Sequence, residues 1–394
     1  MPLILIRLWI FLLMKKWAVL ASFWILIFSY GANWFSVAPL LKDLEEEYGI
    51  GGAESHLLLS IIGLFVIFFA WPAGDIVDKK GPRASAIIGS LFMVLGFAGR
   101  VWLNGNYFQL LFVTSIGGIG LAWILVALAP QMIQWFKDKS SLAIGLASSG
   151  LFVGFGTASF LSPYINQDYG INAVYKLFAL LAILAFVIYL AFGKDKGVVR
   201  KEKARFLEGI KSVFSSRNAI IYPFIGFFIV GGTLSASALL PKLLEESGLG
   251  EVKGGNVIGV MLFGCALGAF AFPYVAHKYG VKKTTLTVAF LSLLFWMTFY
   301  LDLSFAIYLL IAFLFGIFLQ SSWPVALHCQ ETEKGVNERN EGVAASLYIS
   351  ISNVGGAILP VIVGKLADAS LENAFIAILA YVIAILLLWG MIKK

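Results

Sequence analysis

Twelve apolar stretches, each close to the length that crosses a bilayer as a helix, follow one another along this chain: 17–41, 55–73, 84–103, 107–135, 140–164, 173–192, 219–241, 255–276, 284–301, 304–327, 342–364 and 373–392. A helical span needs about 20 such residues. In hydrocarbon every backbone N–H and C=O must be paired within its own segment, so runs of this length form helices. Barrel strands alternate in polarity and run to only about 10 residues. Composition agrees: 60% of the 394 residues are hydrophobic and 13% are Asp, Glu, Lys or Arg. A water-soluble globule carries roughly 25% charge. The chain therefore reads as an all-α membrane protein with 12 transmembrane helices. A soluble enzyme and a disordered scaffold are excluded. The net charge of +7 does not point to nucleic acid, because the basic residues lie between spans, where they meet anionic lipid headgroups. Cys265, Cys329, His56, His277 and His328 form neither a metal-ligand cluster nor a disulfide framework. No metal and no cofactor is expected.

The basic residues divide unequally between alternate loops. One set holds Arg7, Lys15, Lys16, Lys79, Lys80, Arg83, Lys137, Lys139, the basic residues of 193–217, Lys278, Lys282, Lys283, Lys334, Arg339, Lys393 and Lys394. The other holds Lys42, Lys242, Lys253 and Lys365. By the positive-inside rule both termini are expected on the cytoplasmic side of the plasma membrane. Residues 1–16 stand apart. Their apolar part, 2–13, is too short to span beside a helix starting at Trp17, and no small-residue cleavage site follows. The segment is either interfacial or an upstream start, with Met14-Lys15-Lys16-Trp17 a natural beginning.

The charged segment 193–217 follows the sixth span, and 17–192 and 218–394 read as two six-helix halves. Phe206, Leu207, Ile210, Val213 and Phe214 recur at helical spacing within it, which suggests a basic amphipathic helix on the cytoplasmic leaflet. A solvated tether is the other reading. The halves match at an offset of 200: Gly31, Ala38, Leu40, Lys42, Leu44, Glu45 and Glu46 against Gly231, Ala238, Leu240, Lys242, Leu244, Glu245 and Glu246. The halves are then parallel, related by a pseudo-twofold axis along the membrane normal, an architecture that places substrate near mid-bilayer between them.

Between spans 2 and 3 the chain reads Gly74-Asp75-Ile76-Val77-Asp78-Lys79-Lys80-Gly81-Pro82-Arg83. Gly74 permits close helix approach and Gly81 a tight turn. Asp78 suits a helix N-terminus, and Arg83 a helix C-terminus or an acid. With Lys79, these residues form a candidate conformational latch. The stretch resembles the signature G-x-x-x-D-[RK]-x-G-[RK]-[RK] of the major facilitator superfamily, departing from it at Pro82. A worn copy, His277-Lys278-Tyr279-Gly280-Val281-Lys282-Lys283, lies at the equivalent loop of the second half, with His277 in the Asp place. The resemblance implies a monomeric secondary carrier of a small-molecule substrate, contacting only membrane lipids besides, that works by alternating access. Two features common in parts of the family are missing: Thr114 stands where many proton-driven members have Arg, and the span-5 Gly-Pro motif of many antiporters is absent. Trp17-Ala18-Val19-Leu20-Ala21, Asn33-Trp34, Gly96 with Arg100, Trp135-Phe136 and Glu341-Gly342 look like the branch of feline leukaemia virus receptor-type choline and haem transporters. Trp135-Phe136 followed by a small-residue span is also similar to monocarboxylate, oxalate and cyanate/nitrate-type members.

The family resemblance places spans 1, 4, 7 and 10 around the cavity, helped by 2, 5, 8 and 11. Their deep polar and aromatic residues are Tyr30, Asn33, Trp34, Trp123, Gln320, Trp323, Tyr348 and Asn353, beside Thr233, Ser235 and Ser352. Each is read as a substrate contact or, on the other view, as an interhelical hydrogen bond or packing group. Trp34, Trp123 and Tyr348 would make an aromatic cage for a quaternary ammonium. Arg100 would bind a carboxylate, or snorkel, or bond loop carbonyls. No Asp or Glu falls inside the spans as drawn. Gly150, Gly154, Gly255, Gly259, Gly264 and Gly268 read as a sliding seam between halves. The function expected is transport of a small organic solute. A carboxylate-like anion is slightly favoured over a choline-like amine, because no cavity acid is present to hold a cation. A transport-dead sensor or receptor on the same fold is the alternative of another class. No intramembrane catalytic set is present, so the chain is not read as an enzyme.

Overall fold

The computed structural model describes residues 2–393 apart from 104, 197–205, 247, 250 and 338. Twelve long helices follow one another: α1 (Pro2–Phe35), α2 (Gly52–Lys80), α3 (Pro82–Trp102), α4 (Tyr107–Phe136), α5 (Ser140–Tyr169), α6 (Ile171–Phe192), α7 (Arg217–Glu246), α8 (Glu251–Tyr279), α9 (Val281–Thr298), α10 (Phe305–Glu331), α11 (Glu341–Ala369) and α12 (Leu371–Met391). Ten stretches among the described residues are long and apolar enough to cross a membrane. One of them, Tyr107–Tyr169, holds both α4 and α5. Helix α9 falls outside the ten because it opens on Val281-Lys282-Lys283 and has only 18 residues. Residues 2–16 are not a separate element; they continue the 34-residue α1.

The two halves pack alike. In the first, α1 lies on α5 and α6, α2 on α4, and α3 on α4 and α6. In the second, α7 lies on α11 and α12, α8 on α10, and α9 on α10 and α12. The main contacts between halves are α2 on α11 and α5 on α8, each related to the other by the same repeat. Six spans return the chain to its starting side, so the halves are parallel. Prolines interrupt equivalent helices: Pro72, Pro130 and Pro163 in α2, α4 and α5, and Pro273, Pro324 and Pro360 in α8, α10 and α11. Each removes a backbone donor from its helix.

Glycine sets the distance between helices. A Cβ on Gly31 would overlap the Leu151 carbonyl of α5, and one on Gly154 the Phe28 carbonyl of α1. At the equivalent crossing, Gly231 faces the Gly355 carbonyl and Gly355 the Phe227 carbonyl. Gly264 and Gly268 pack on the Phe313 and Ile317 carbonyls of α10, and Gly150 on Trp24 of α1. These four contacts lie within halves, so the expectation that Gly150, Gly154, Gly264 and Gly268 form the seam between halves is corrected. Nothing lies within 4 Å of Gly255 or Gly259. Small-residue spacing signals close packing, but not against which partner.

The centre of the basic segment, 197–205, lies outside the described residues. Past it, the helix Phe206–Val213 turns Ile210 and Val213 onto Val343, Ala344 and Leu347 of α11. Ser212 Oγ donates to the Gly335 carbonyl at 2.8 Å. The described apolar side chains of this helix thus meet protein, where the sequence suggested lipid.

Gly154→Leu and Gly355→Leu should each lower the thermal midpoint in detergent, since overpacking costs about 1–3 kcal/mol. Gly364→Leu, at a position with nothing within 4 Å, should leave it unchanged.

Candidate functional site

The site builds up from the face that carries most of the basic loops. There the C-terminal end of α2 meets the N-terminal end of α11. The first backbone N–H groups of a helix lack intrahelical acceptors and carry partial positive charge. Asp78 supplies an acceptor, its Oδ1 lying 2.7 Å from the Gly342 nitrogen. Gly74 and Gly342 make the approach possible. A Cβ on Gly74 would overlap Ser346 Oγ and the Gly342 carbonyl, and one on Gly342 would overlap the Gly74 carbonyl. Higher along the same pair, Ser350 Oγ donates to the Ile67 carbonyl at 2.9 Å. On the α5 side, Ser140 Oγ lies 3.4 Å from His328 Nδ1 of α10, and Gly145 fits against Ala269 and Pro273 of α8.

The other motif residues act within the first half. Gly81 turns the chain at φ +100°. Arg83 Nε donates to the Gly193 carbonyl at 2.5 Å and Nη2 to the Leu190 carbonyl at 3.2 Å, so its charge sits at the C-terminus of α6. Lys79 pairs with Asp75 one turn back on α2 and does not cross the seam. The worn copy keeps part of this. Gly280 has φ +96°, and Lys282 Nζ donates at 2.9 Å to the Gly390 and Ile392 carbonyls at the end of α12. His277, in the Asp place, is exposed.

The interior candidates fall into two groups. In the first half, Tyr30 OH donates to the Gly117 carbonyl at 2.7 Å. Asn33 Nδ2 donates to the Ser29 and Phe178 carbonyls, both at 2.9 Å. Trp34 Nε1 donates to the Leu59 carbonyl at 3.0 Å, and its ring packs edge-on against Tyr30 and Phe155. Arg100 joins this group. It is 2% exposed, donates from Nη1 to the Asn33 carbonyl at 2.9 Å and from Nε to Thr114 Oγ1 at 3.1 Å, and stacks over Phe97. It neither snorkels nor reaches loop carbonyls. Its Nη2 has no partner among the described residues. In the second half, Thr233 Oγ1 donates to Gln320 Oε1 at 3.3 Å. Tyr348 OH donates to the Trp323 carbonyl at 2.9 Å, with the two rings edge-to-face. Asn353 Nδ2 bonds Ile349 on its own helix, and Oδ1 faces Gly63 of α2. Among the described residues Trp34 contacts the rings of Tyr30, Phe35 and Phe155, and Tyr348 that of Trp323. Trp123 and Trp323 each bury an indole Nε1 without a partner among the described residues.

The spans as drawn also missed Glu331. Helix α10 continues past 327, where the sequence reading ended it, and buries this carboxylate at 6% exposure in its last turn. Neither oxygen has a hydrogen-bond partner among the described residues. The apolar run stops at Leu327, so hydropathy alone gave no signal.

A family model described as Major Facilitator Superfamily matches residues 23–329. The chain belongs to the Major Facilitator Superfamily. Its superfamily relatives include the multi-drug resistance efflux pump PmrA of Streptococcus pneumoniae, 26% identical over 70% of this chain and 71% of that one. The cyanate transport protein CynX of Escherichia coli is 26% identical over 66% of each chain. Monocarboxylate transporter 4 of Mus musculus is 25% identical over 68% of this chain and 58% of that one. A crystal structure of the Escherichia coli superfamily transporter FucP in the outward conformation shares the fold, with a TM-score of 0.78, 15% identity, and coverage of 95% of this chain and 98% of that one. The protein is thus a multi-pass membrane transporter of the secondary class.

Removing Asp78 removes a charge-assisted hydrogen bond, worth about 1.5–3 kcal/mol. Asp78→Ala should raise maleimide labelling of a cysteine introduced by Ser346→Cys by roughly ten- to a hundredfold. An unchanged rate would show that the bond does not hold the seam.

Proposed function

We propose that this chain carries a small organic anion of the carboxylate type across the plasma membrane by alternating access, with the basic face cytoplasmic. The observation that carries the reading is a matched pair of donors. Trp123 on α4 and Trp323 on α10 occupy equivalent places in the repeat, and each buries an indole N–H with no partner among the described residues. An indole nitrogen donates and does not accept. Leaving such a donor buried and unpaired costs about 1–3 kcal/mol, so the pair favours a ligand rich in acceptors. The family places spans 4 and 10 beside the cavity, one from each half, so a carboxylate between them would bridge the two halves. Arg100 adds a buried positive charge with an unused Nη2 donor. Two of the named relatives are described by cyanate and monocarboxylate transport, and the drug pump matches at similar identity.

The choline-like reading keeps one support, the edge-to-face pair of Trp323 and Tyr348. It loses Trp34, whose N–H is bonded and whose ring is packed. The contacts across the basic face, together with the likeness to outward FucP, support a state closed toward the cytoplasm.

A thermal-shift panel on purified protein tests the reading, because a ligand of the folded state raises its apparent stability. Small carboxylates should stabilise the protein, and Trp123→Phe and Trp323→Phe should each weaken the effect about tenfold or more. Stabilisation by choline and betaine alone would overturn the anion assignment. Binding without flux into proteoliposomes would favour a sensor or receptor.

A further inference from the structure

The carboxyl of Glu331 stands where a charge is hard to keep. It is the last residue of α10, where the helix dipole presents its negative end. It is 6% exposed, and neither oxygen has a hydrogen-bond partner among the described residues. Burial opposes a charge there first, and among the described residues the acids Glu341 and Asp78 add to that opposition. Those two are better placed as anions. Asp78 accepts from the Gly342 N–H at the start of α11, and Glu341 lies in the first turn of the same helix, where negative charge is favoured. The cations of this face, Lys79 and Lys80 on α2, Lys139 ahead of α5, and Lys334 and Arg339 between α10 and α11, are exposed. The other titratable groups of these helix ends are Cys329 and His328 on α10, the latter beside Ser140 of α5, Glu333 just past α10, which accepts from Ser216 and Asn218, Tyr222 on α7 and His277 on α8. Three carboxylates of which one is buried without a donor are not all ionised together.

We propose that Glu331 is a proton-binding site of the seam, holding its proton while α2 and α11 are joined and releasing it to water when they part. On opening, the carboxyl O–H bond breaks, the proton passes to the aqueous phase of the basic face, and the hydrated carboxylate keeps the electron pair. The proton binds the joined state in preference, so acidity on this face favours joining and alkalinity favours opening. The site needs no substrate. It rests on the alternating-access reading only for what the opening accomplishes, and its test reads distance without transport.

Lys139 and Lys278 are exposed and flank the contact of α5 with α8. Spin labels on Lys139→Cys and Lys278→Cys, in a Cys265→Ala and Cys329→Ala background in lipid nanodiscs, report the opening by distance distribution between pH 5 and pH 9. The ratio of long to short distances should rise with pH by up to about tenfold per unit, the limit for one linked proton. Glu331→Gln should hold the short distance at every pH. Glu341→Gln removes a neighbouring negative charge, so the response should persist with its midpoint at lower pH, whereas a response abolished by Glu341→Gln would place the proton on Glu341 and overturn the assignment to Glu331. His328→Gln should leave the response intact. A wild-type distribution independent of pH overturns the proposal, as does a Glu331→Gln protein that titrates like wild type. Should Glu331→Gln fail to fold, the direction of the Glu341→Gln shift decides.

Discussion

A single carboxylate bonded to a helix N-terminus organises the junction between the halves. Asp78 reaches the Gly342 N–H, and the two glycines that allow α2 and α11 to touch stand beside that bond. Helix dipole and hydrogen bond act in the same direction there. The energy involved is small beside that of the whole fold, but it is of the size that sets a conformational balance, where 1.4 kcal/mol is a factor of ten. Much of the packing around it is within halves, whereas this contact joins them. A transporter that must open and close gains from a junction of this strength: firm enough to populate one state, weak enough to leave it.

The repeat explains why the junction is lopsided. Both halves keep the turn glycine, Gly81 and Gly280, and both place a basic side chain on the end of their sixth helix, Arg83 on α6 and Lys282 on α12. These clamps hold each half together. What the second half has lost is the carboxylate that crosses, replaced by the exposed His277. The α5–α8 side instead has a contact between Ser140 and His328. One side of the seam is therefore tied by a charge-assisted hydrogen bond, whereas the other has the Ser140–His328 contact.

The spans, the parallel halves and the turn at Gly81 were legible in the sequence, because hydrocarbon imposes a length and left-handed φ selects glycine. The partners of Asp78 and Arg83 were legible by type, N-terminus and C-terminus, because the dipole argument fixes sign. Other features were not. Gly154 and Gly268 show a packing period, yet only the fold says that they face α1 and α10. Arg100 lies near a span end and read as a snorkelling group, whereas the fold turns it inward onto Asn33 and Thr114. Its partner is a backbone carbonyl, which leaves no mark on sequence. Trp34 was singled out for its neighbour Asn33, but both are engaged in structural bonds. Glu331 was hidden because burial by neighbouring helices does not depend on the hydropathy of its own segment.

The measurement that bears most directly on the central claim is uptake into proteoliposomes of a radiolabelled short-chain carboxylate beside radiolabelled choline, under matched gradients. Saturable uptake of the carboxylate, suppressed by unlabelled carboxylates and unaffected by choline, is expected. Saturable choline uptake with no carboxylate flux would contradict it.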